Sequence, residues 1–266
     1  MKEDKDFQKI KDALEKSRQI LQKYTSGNIN ASLKTGGDPL TEADIELDAA
    51  LKNILLEDGE GWLSEETGDS CDRLDKSRVW IVDPLDGTRE FVEGLPEWCV
   101  SIGLARDGKM IAGGVLNPAA NQLFIATENT HLTLNGKFAS PSEKDTLNGA
   151  KILASRTEAR RGEWKNFETS NFEVTPCGSV AYKLACVSAG LADATFTLVS
   201  KNEWDIAAGM FLLESAGGKT VRKDGYRQTF NNPKTLLPGL IASGVKLFDT
   251  LTGFLNISLA SEKSEY

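Results

Sequence analysis

The chain is poor in the residues that most often make metal and redox sites. It has one histidine among 266 residues, His131. That excludes a metal site built on imidazoles. His131 lies between Thr130 and Leu132 in a hairpin-like stretch and reads as a solvated surface residue. The four cysteines, Cys71, Cys99, Cys177 and Cys186, are scattered. No two of them have zinc-ligand spacing, and nothing suggests a disulfide framework. No apolar run is long enough to span a bilayer. The start, Met1-Lys2-Glu3-Asp4-Lys5, is charged and has no apolar signal core, so a reducing cytoplasm is the expected setting. Basic residues are outnumbered, 31 Lys and Arg against 39 Asp and Glu, for a formal net charge of −8. A broad basic surface for a nucleic-acid polymer is therefore excluded. A small anionic substrate stays open, because a bound metal can invert the local charge.

What is present is enough for a large core: 40% of the residues are hydrophobic. Phe7, Ile10, Leu14, Ser17 and Leu21 recur at helical spacing and predict an amphipathic helix to about Tyr24. Gly27 to Pro39 reads as a polar loop. A second helix begins at Thr41, with Leu47, Leu51, Ile54 and Leu55 on its apolar side. Trp62-Leu63-Ser64 and Val79 to Val82 read as short strands. Val100 to Leu104 and Met110 to Leu116 alternate about an Asp107-Gly108 turn, a hairpin signature. A strand near Leu123 to Ala126 and a turn at Asn135-Gly136 extend that sheet. Pro141 to Asn148 is polar and linker-like. Beyond it strands and helices alternate: strand 152–154, helix 158–167, strand 172–175, helix 180–189, strand 194–199, helix 205–215. The expectation is an α+β domain over 1–145 and an α/β domain over 146–266. The tail Ser261-Glu262-Lys263-Ser264-Glu265 is expected to fray.

The most informative segment is Asp83-Pro84-Leu85-Asp86-Gly87-Thr88, directly after the apolar run Val79-Trp80-Ile81-Val82. It reads as a buried strand stopping at Asp-Pro, then two carboxylates three residues apart. Gly87 and Thr88 suit a helix start, which aims free N–H groups at an anion. Hard oxygen ligands beside such a start point to Mg²⁺ and a phosphate. Asp-x-x-Asp-Gly is also an ordinary turn signature. Three further acidic segments tip the balance. Glu65 and Glu66 follow a strand, and alternation points them to opposite faces, so one of them is the expected ligand. Thr41-Glu42-Ala43-Asp44 resembles a capping box with Asp44 in the glutamate's place. In Trp204-Asp205-Ile206-Ala207-Ala208-Gly209, Asp205 reads as a helix N-cap, and the small residues behind it permit close helix packing.

In order and approximate spacing these segments resemble the inositol monophosphatase superfamily of Mg²⁺-dependent, Li⁺-sensitive phosphomonoesterases. The resemblance runs from Lys34 to the strand at Leu240. It implies a layered α-β-α-β-α sandwich of the inositol monophosphatase and fructose-1,6-bisphosphatase type. It also implies that Glu66, Asp83, Asp86, Asp205 and the carbonyl of Leu85 hold two or three Mg²⁺ ions. By the same resemblance Thr88, paired with Asp44, activates the attacking water, and the N–H groups of Gly87 and Thr88 bind the phosphate. Lys34, Thr41 and Asp44 match a mobile segment linked to a third metal and to Li⁺ sensitivity. A homodimer is left open.

Within the superfamily, Asp-Gly-Thr continues here as Arg89-Glu90-Phe91, which looks like the 3′(2′),5′-bisphosphate nucleotidase branch. Leu198 stands seven residues before Asp205, where inositol monophosphatases carry a glutamate for an inositol hydroxyl. An apolar residue cannot accept that hydrogen bond. Gly178-Ser179-Val180-Ala181-Tyr182-Lys183 reads either as a contact for the nucleotide end or as a helix start capped by Ser179. Lys183 meets a second phosphate or is solvated. Arg89 serves the substrate or pairs with Glu90 or Glu93. Asp205 is also a candidate substrate contact. The expected partner is a small phosphorylated metabolite, 3′-phosphoadenosine 5′-phosphate first, with an inositol or other sugar phosphate as the alternative.

Overall fold

The computed structural model describes residues 4–34, 37–167 and 170–260. The expected fraying tail, 261–265, lies outside them. The chain forms five layers, helices and sheets in turn. Seven α-helices are labelled in chain order: α1 Lys5–Leu21, α2 Glu42–Leu55, α3 Thr88–Glu93, α4 Arg156–Arg160, α5 Val180–Ser188, α6 Glu203–Ser215 and α7 Val245–Phe254.

The first sheet has seven strands in sequence order: Gly61–Ser64, Arg78–Asp86, Cys99–Arg106, Lys109–Asn117, Gln122–Thr127, Thr133–Leu134 and Lys137–Phe138. Its first two strands run parallel and the rest antiparallel. Helices α1 and α2 cover one face. Ile10, Leu14, Leu47 and Leu51 pack there on Trp80, Val82, Ile102 and Leu104, all fully buried. Asp4 starts α1 by accepting hydrogen bonds from the N–H groups of Asp6 and Phe7, a standard N-cap.

Helices α5 and α6 lie on the other face, between this sheet and a five-stranded one. That second sheet places Lys151–Ser155 between Glu173–Cys177 and Ala194–Thr197, all three parallel. Leu240–Ser243 and Lys219–Arg222 complete it in antiparallel sense. Being covered on both sides, α6 is apolar nearly all round, and Ile206 through Leu213 are buried without a break. Helices α4 and α7 close the outer face, where Leu247, Phe248 and Leu251 meet Ile152, Phe196 and Ile241.

Four local expectations are corrected. The stretch 27–39 is not wholly loop, because Ala31–Leu33 pairs antiparallel with Pro39–Thr41. The strand that begins at Arg78 does not stop at Asp83. It continues to Asp86 across an irregularity, with Asp83 opposite Ser101 and Asp86 opposite Cys99; such a bulge re-aims side chains. The helix expected over 158–167 is two short pieces, α4 and a 3₁₀ turn at Lys165–Phe167, and the chain turns between them at Gly162, whose φ of 78° leaves the helical region. Helix α6 starts at Glu203, so Asp205 is not its N-cap. Asn202 caps the helix, and Asp205 is the third residue of the capping box, accepting from the Asn202 N–H at 2.9 Å.

Candidate active site

The site lies where the carboxyl ends of the first two strands meet the starts of α2, α3, α5 and α6. The ladder fixes its first two members. Ser64 stands opposite Val82, and the Glu65 N–H continues that register by donating to the Val82 carbonyl. Glu65 is thereby set beside Asp83. Asp205 arrives from the first turn of α6. Carboxylate oxygens of Glu65, Asp83 and Asp205 all lie within 4.8 Å of one another. The geometry thus brings in Glu65, where Glu66 was the expected ligand. The Glu66 carboxylate accepts from the Lys34 ammonium instead, and the same ammonium donates to Glu65 at 2.8 Å.

Crowding of this kind has an electrostatic cost that a cation removes. Burial, then repulsion from Glu65, Asp86 and Asp205, holds the Asp83 carboxyl well above the usual carboxylate range. Burial, then Asp86 and Glu65, does the same to Asp205. Burial likewise raises Glu65 and Asp86, and pushes Glu66 up to about 7. A set of hard oxygen donors that is unfavourable when ionised alone fits a small divalent cation such as Mg²⁺.

Asp86 is held from α5. Its Oδ2 accepts from the Ser179 hydroxyl at 2.7 Å and from the Ala181 N–H at 2.8 Å. Ser179 also accepts from the Tyr182 N–H, so it is the N-cap of α5. Its hydroxyl is therefore occupied with Asp86 rather than free in the pocket. Ser179 adopts φ 50°, a conformation that costs a non-glycine residue roughly 1–3 kcal/mol.

Thr88 and Asp44 meet as the resemblance implied. The Thr88 Oγ1 lies 3.0 Å from Asp44 Oδ1 and 2.9 Å from the Leu85 carbonyl oxygen. Asp44 is fully buried. Its Oδ2 accepts from the Thr41 N–H at 2.8 Å and the Thr41 hydroxyl at 2.6 Å. Burial raises its pKa, partly offset by these donors. Gly87 sits just before α3 at φ 96°, and a Cβ there would come within 3.1 Å of the Trp98 backbone, so only glycine fits.

Glu65, Asp83, Asp86, Gly87, Thr88 and Asp205 line a cavity of about 280 Å³, with Asp44 behind Thr88. Its lining also includes Lys183, Lys201, Arg156, Arg161 and Val199; Lys201 pairs with Glu158 at 3.3 Å, Arg156 with Glu97 at 2.8 Å and Arg161 with Glu163 at 2.6 Å. Lys183 is buried, not solvated, and donates to the Cys177 carbonyl at 3.3 Å; burial lowers its pKa. Arg89 pairs with Asp38 at 3.3 Å on the rim, with neither Glu90 nor Glu93. Leu198 is outside that lining and 42% exposed. Lys201, Arg156 and Arg161 were not singled out from the sequence, because nothing in their local pattern ties the two ends of α4 to a short strand far along the chain.

A family model described as the inositol monophosphatase family matches residues 4–250. The chain belongs to the inositol monophosphatase family. It is 34% identical to an inositol-1-monophosphatase of Mesorhizobium japonicum, over 77% of this chain and 80% of that one. It is 32% identical to the Nus factor SuhB of Escherichia coli, over 73% and 75%. Among solved structures, the extragenic suppressor protein SuhB of Bartonella henselae aligns with a TM-score of 0.78 at 28% identity, over 93% of this chain and 97% of that one. A Thermotoga maritima IMPase aligns at 0.76 and 28%, over 93% and 94%. The layered α+β fold is the one these structures share. Among the described residues, no helix is long and apolar enough to cross a membrane.

Proposed function

We propose that this member of the family is a Mg²⁺-dependent phosphomonoesterase acting on a small, multiply anionic metabolite, with 3′-phosphoadenosine 5′-phosphate as the leading substrate. The observation that carries the reading is that one cavity gathers both signs of charge. Carboxylates of Glu65, Asp83 and Asp205 converge beside the Thr88–Asp44 pair, and Lys183, Lys201, Arg156 and Arg161 line the same cavity.

In this reading Glu65, Asp83, Asp86, Asp205 and the Leu85 carbonyl would hold Mg²⁺, which would supply the charge that offsets a phosphate dianion and a Lewis acid for the attacking water and the leaving oxygen. The chain's own residues do the rest. Thr88 has one hydroxyl proton, directed to Asp44 Oδ1 or to the Leu85 carbonyl. Its lone pairs then face the cavity and orient the attacking water. Asp44 takes up the proton through Thr88, and its buried, raised carboxyl suits that task. The Gly87 and Thr88 N–H groups, at the start of α3, receive phosphate oxygens. No covalent phosphoenzyme is needed.

Substrate choice rests on the rest of the lining. Lys183 and Lys201 suit a second anionic group, and Val199 suits an apolar one. Leu198 supplies no carboxylate for an inositol hydroxyl. The names of the relatives favour a second reading, inositol 1-phosphate or another sugar phosphate. Phosphate release with Mg²⁺ from the two substrates, each with and without Li⁺, decides between them. Preference for the nucleotide with Li⁺ inhibition supports the leading reading. Preference for inositol 1-phosphate replaces it by the second, and no Mg²⁺-dependent release from either removes both.

A further inference from the structure

Helix α2 carries a second carboxylate one turn beyond Asp44. Residues four apart lie on one helix face, so Asp48 stands above Asp44 toward the same end of the sheet. Its two oxygens are both taken. The Ser64 hydroxyl donates to Asp48 Oδ1 at 2.5 Å, and the Thr67 hydroxyl donates to Asp48 Oδ2. Ser64 in turn accepts from the Glu66 N–H at 3.4 Å. Ser64 and Thr67 are the residues immediately flanking the Glu65–Glu66 pair. The pair itself lies past the end of its strand, in a segment without helix or strand from 65 to 71. Within it, the Glu65 N–H donates to the Val82 carbonyl on the near side. On the far side, Thr67 is tied down by Asp48.

We propose that Asp48 is a positioning residue for metal binding: by gripping Ser64 and Thr67 it fixes the loop that presents Glu65 to Asp83 and Asp205. Asp48 is not a member of the carboxylate group that converges at the site. Its effect runs through the two hydroxyls. Because Asp44 on the same helix holds Thr88, α2 becomes one rigid mount for two parts of the site, the Thr88 hydroxyl and the Glu65 loop. A hydroxyl donating to an ionised acceptor is among the stronger hydrogen bonds, and outer supports of metal ligands typically govern affinity by about 10–100-fold. The inference rests on the proposed metal site at Glu65.

The test uses the full chain as Asp48→Ala, Asp48→Asn and the double variant Ser64→Ala/Thr67→Ala. Three quantities are read: the Mg²⁺ dissociation constant by calorimetry, the Mg²⁺ concentration for half-maximal phosphate release, and the melting temperature in EDTA. Asp48→Ala is expected to weaken both Mg²⁺ constants by about tenfold or more, while the rate at saturating Mg²⁺ changes far less. The double variant should reproduce the shift, and adding Asp48→Ala to it should add almost nothing. Asn offers one carbonyl acceptor and one amide donor, so Asp48→Asn should recover part of the affinity. A lower melting temperature with unchanged Mg²⁺ constants overturns the proposal in favour of a purely structural role. So does a full Asp48→Ala effect in the background lacking both hydroxyls. If Asp48→Ala does not fold, the double variant and Asp48→Asn carry the same comparison. No Mg²⁺ binding by the unsubstituted chain overturns the metal site and this inference together; binding that ignores all three variants overturns the inference alone.

Discussion

Substituting the two adjacent glutamates one at a time gives the sharpest test of the site. Glu65 belongs to the group whose carboxylate oxygens lie within 4.8 Å of one another. Two unit charges at that separation interact with roughly 3.5 kcal/mol at an effective dielectric constant of about 20. A cation seated among the three carboxylates gains at least one interaction of that size from Glu65. Glu65→Gln removes it, so Mg²⁺ affinity should fall by roughly 3 kcal/mol, about two orders of magnitude. Glu66 is paired with Lys34 outside the group. Glu66→Gln keeps a neutral hydrogen bond there and should weaken Mg²⁺ by no more than about 1 kcal/mol, roughly fivefold. The assay is a Mg²⁺ titration of phosphate release, paired with Mg²⁺ calorimetry on both variants. Glu65→Gln leaving affinity within about threefold of the unsubstituted chain would refute the reasoning, as would Glu66→Gln matching the larger loss.

Three other outcomes are expected. Thr88→Val should lower kcat by about 10²–10⁴-fold, the usual worth of assisted proton transfer, with calorimetric Mg²⁺ affinity nearly unchanged; a kcat within tenfold removes Thr88 from the proton path. Without metal, stability should fall as pH rises. Glu66, about 7 when folded against 4.5 as a free side chain, and the raised Glu65, Asp83 and Asp205 all bind protons more tightly in the folded state. The Glu66 contribution is complete below pH 4.5 and is lost on passing pH 7, and the other three act in the same direction, so the melting temperature in EDTA should be lower at pH 7.5 than at pH 5, and Mg²⁺ should restore more at the higher pH. A melting temperature in EDTA that rises over that interval contradicts the assignment. Gly209→Ala places a Cβ 2.5 Å from that of Leu184, between α5 and α6; overpacking of this kind should cost roughly 1–3 kcal/mol in urea unfolding, and an unchanged midpoint means the two helices can separate freely.

Much of the fold was legible because its period signals are long. The 3.6-residue pattern from Phe7 to Leu21 and the alternation on either side of Asp107-Gly108 appear in the structure, the hairpin strands with ends moved by a residue or two and the helix ending at Leu21 rather than near Tyr24. What was not legible depends on partners distant in sequence. Ala31–Leu33 has no strand pattern of its own and becomes a strand because Pro39–Thr41 lies alongside it. The strand 78–86 passes through Pro84, where local rules end it, because a bulge absorbs the extra residues. Lys183 looks like a surface residue in its own sequence window, yet α5 is packed between two sheets and the side chain is enclosed.

The choice between Glu65 and Glu66 shows where the missing information sat. Alternation alone establishes that the two point to opposite faces, but not which face holds the metal. The pairing of Leu63 with Ile81 and Ser64 with Val82 supplies that phase. In a parallel ladder, paired residues share a face, so Leu63, Ile81, Glu65 and Asp83 lie on one side and Ser64 and Val82 on the other. Leu63 and Ile81 pack into the cluster that contains Ile206 and Ala207 of α6, whereas Val82 packs with Leu47 and Leu51 of α2. Asp205 enters from α6. A carboxylate that is to meet both Asp83 and Asp205 must therefore share parity with Leu63, which admits Glu65 and leaves Glu66 on the opposite parity. The same parity turns Ser64 toward α2, where Asp48 receives it. In the proposed site, one register thus sets both the ligand and its support. Deleting Glu65 should put Glu66 directly after Ser64, in the ligand's place, and keep Mg²⁺ affinity, whereas inserting one residue after Ser64 should turn Glu65 to the opposite parity and lose it.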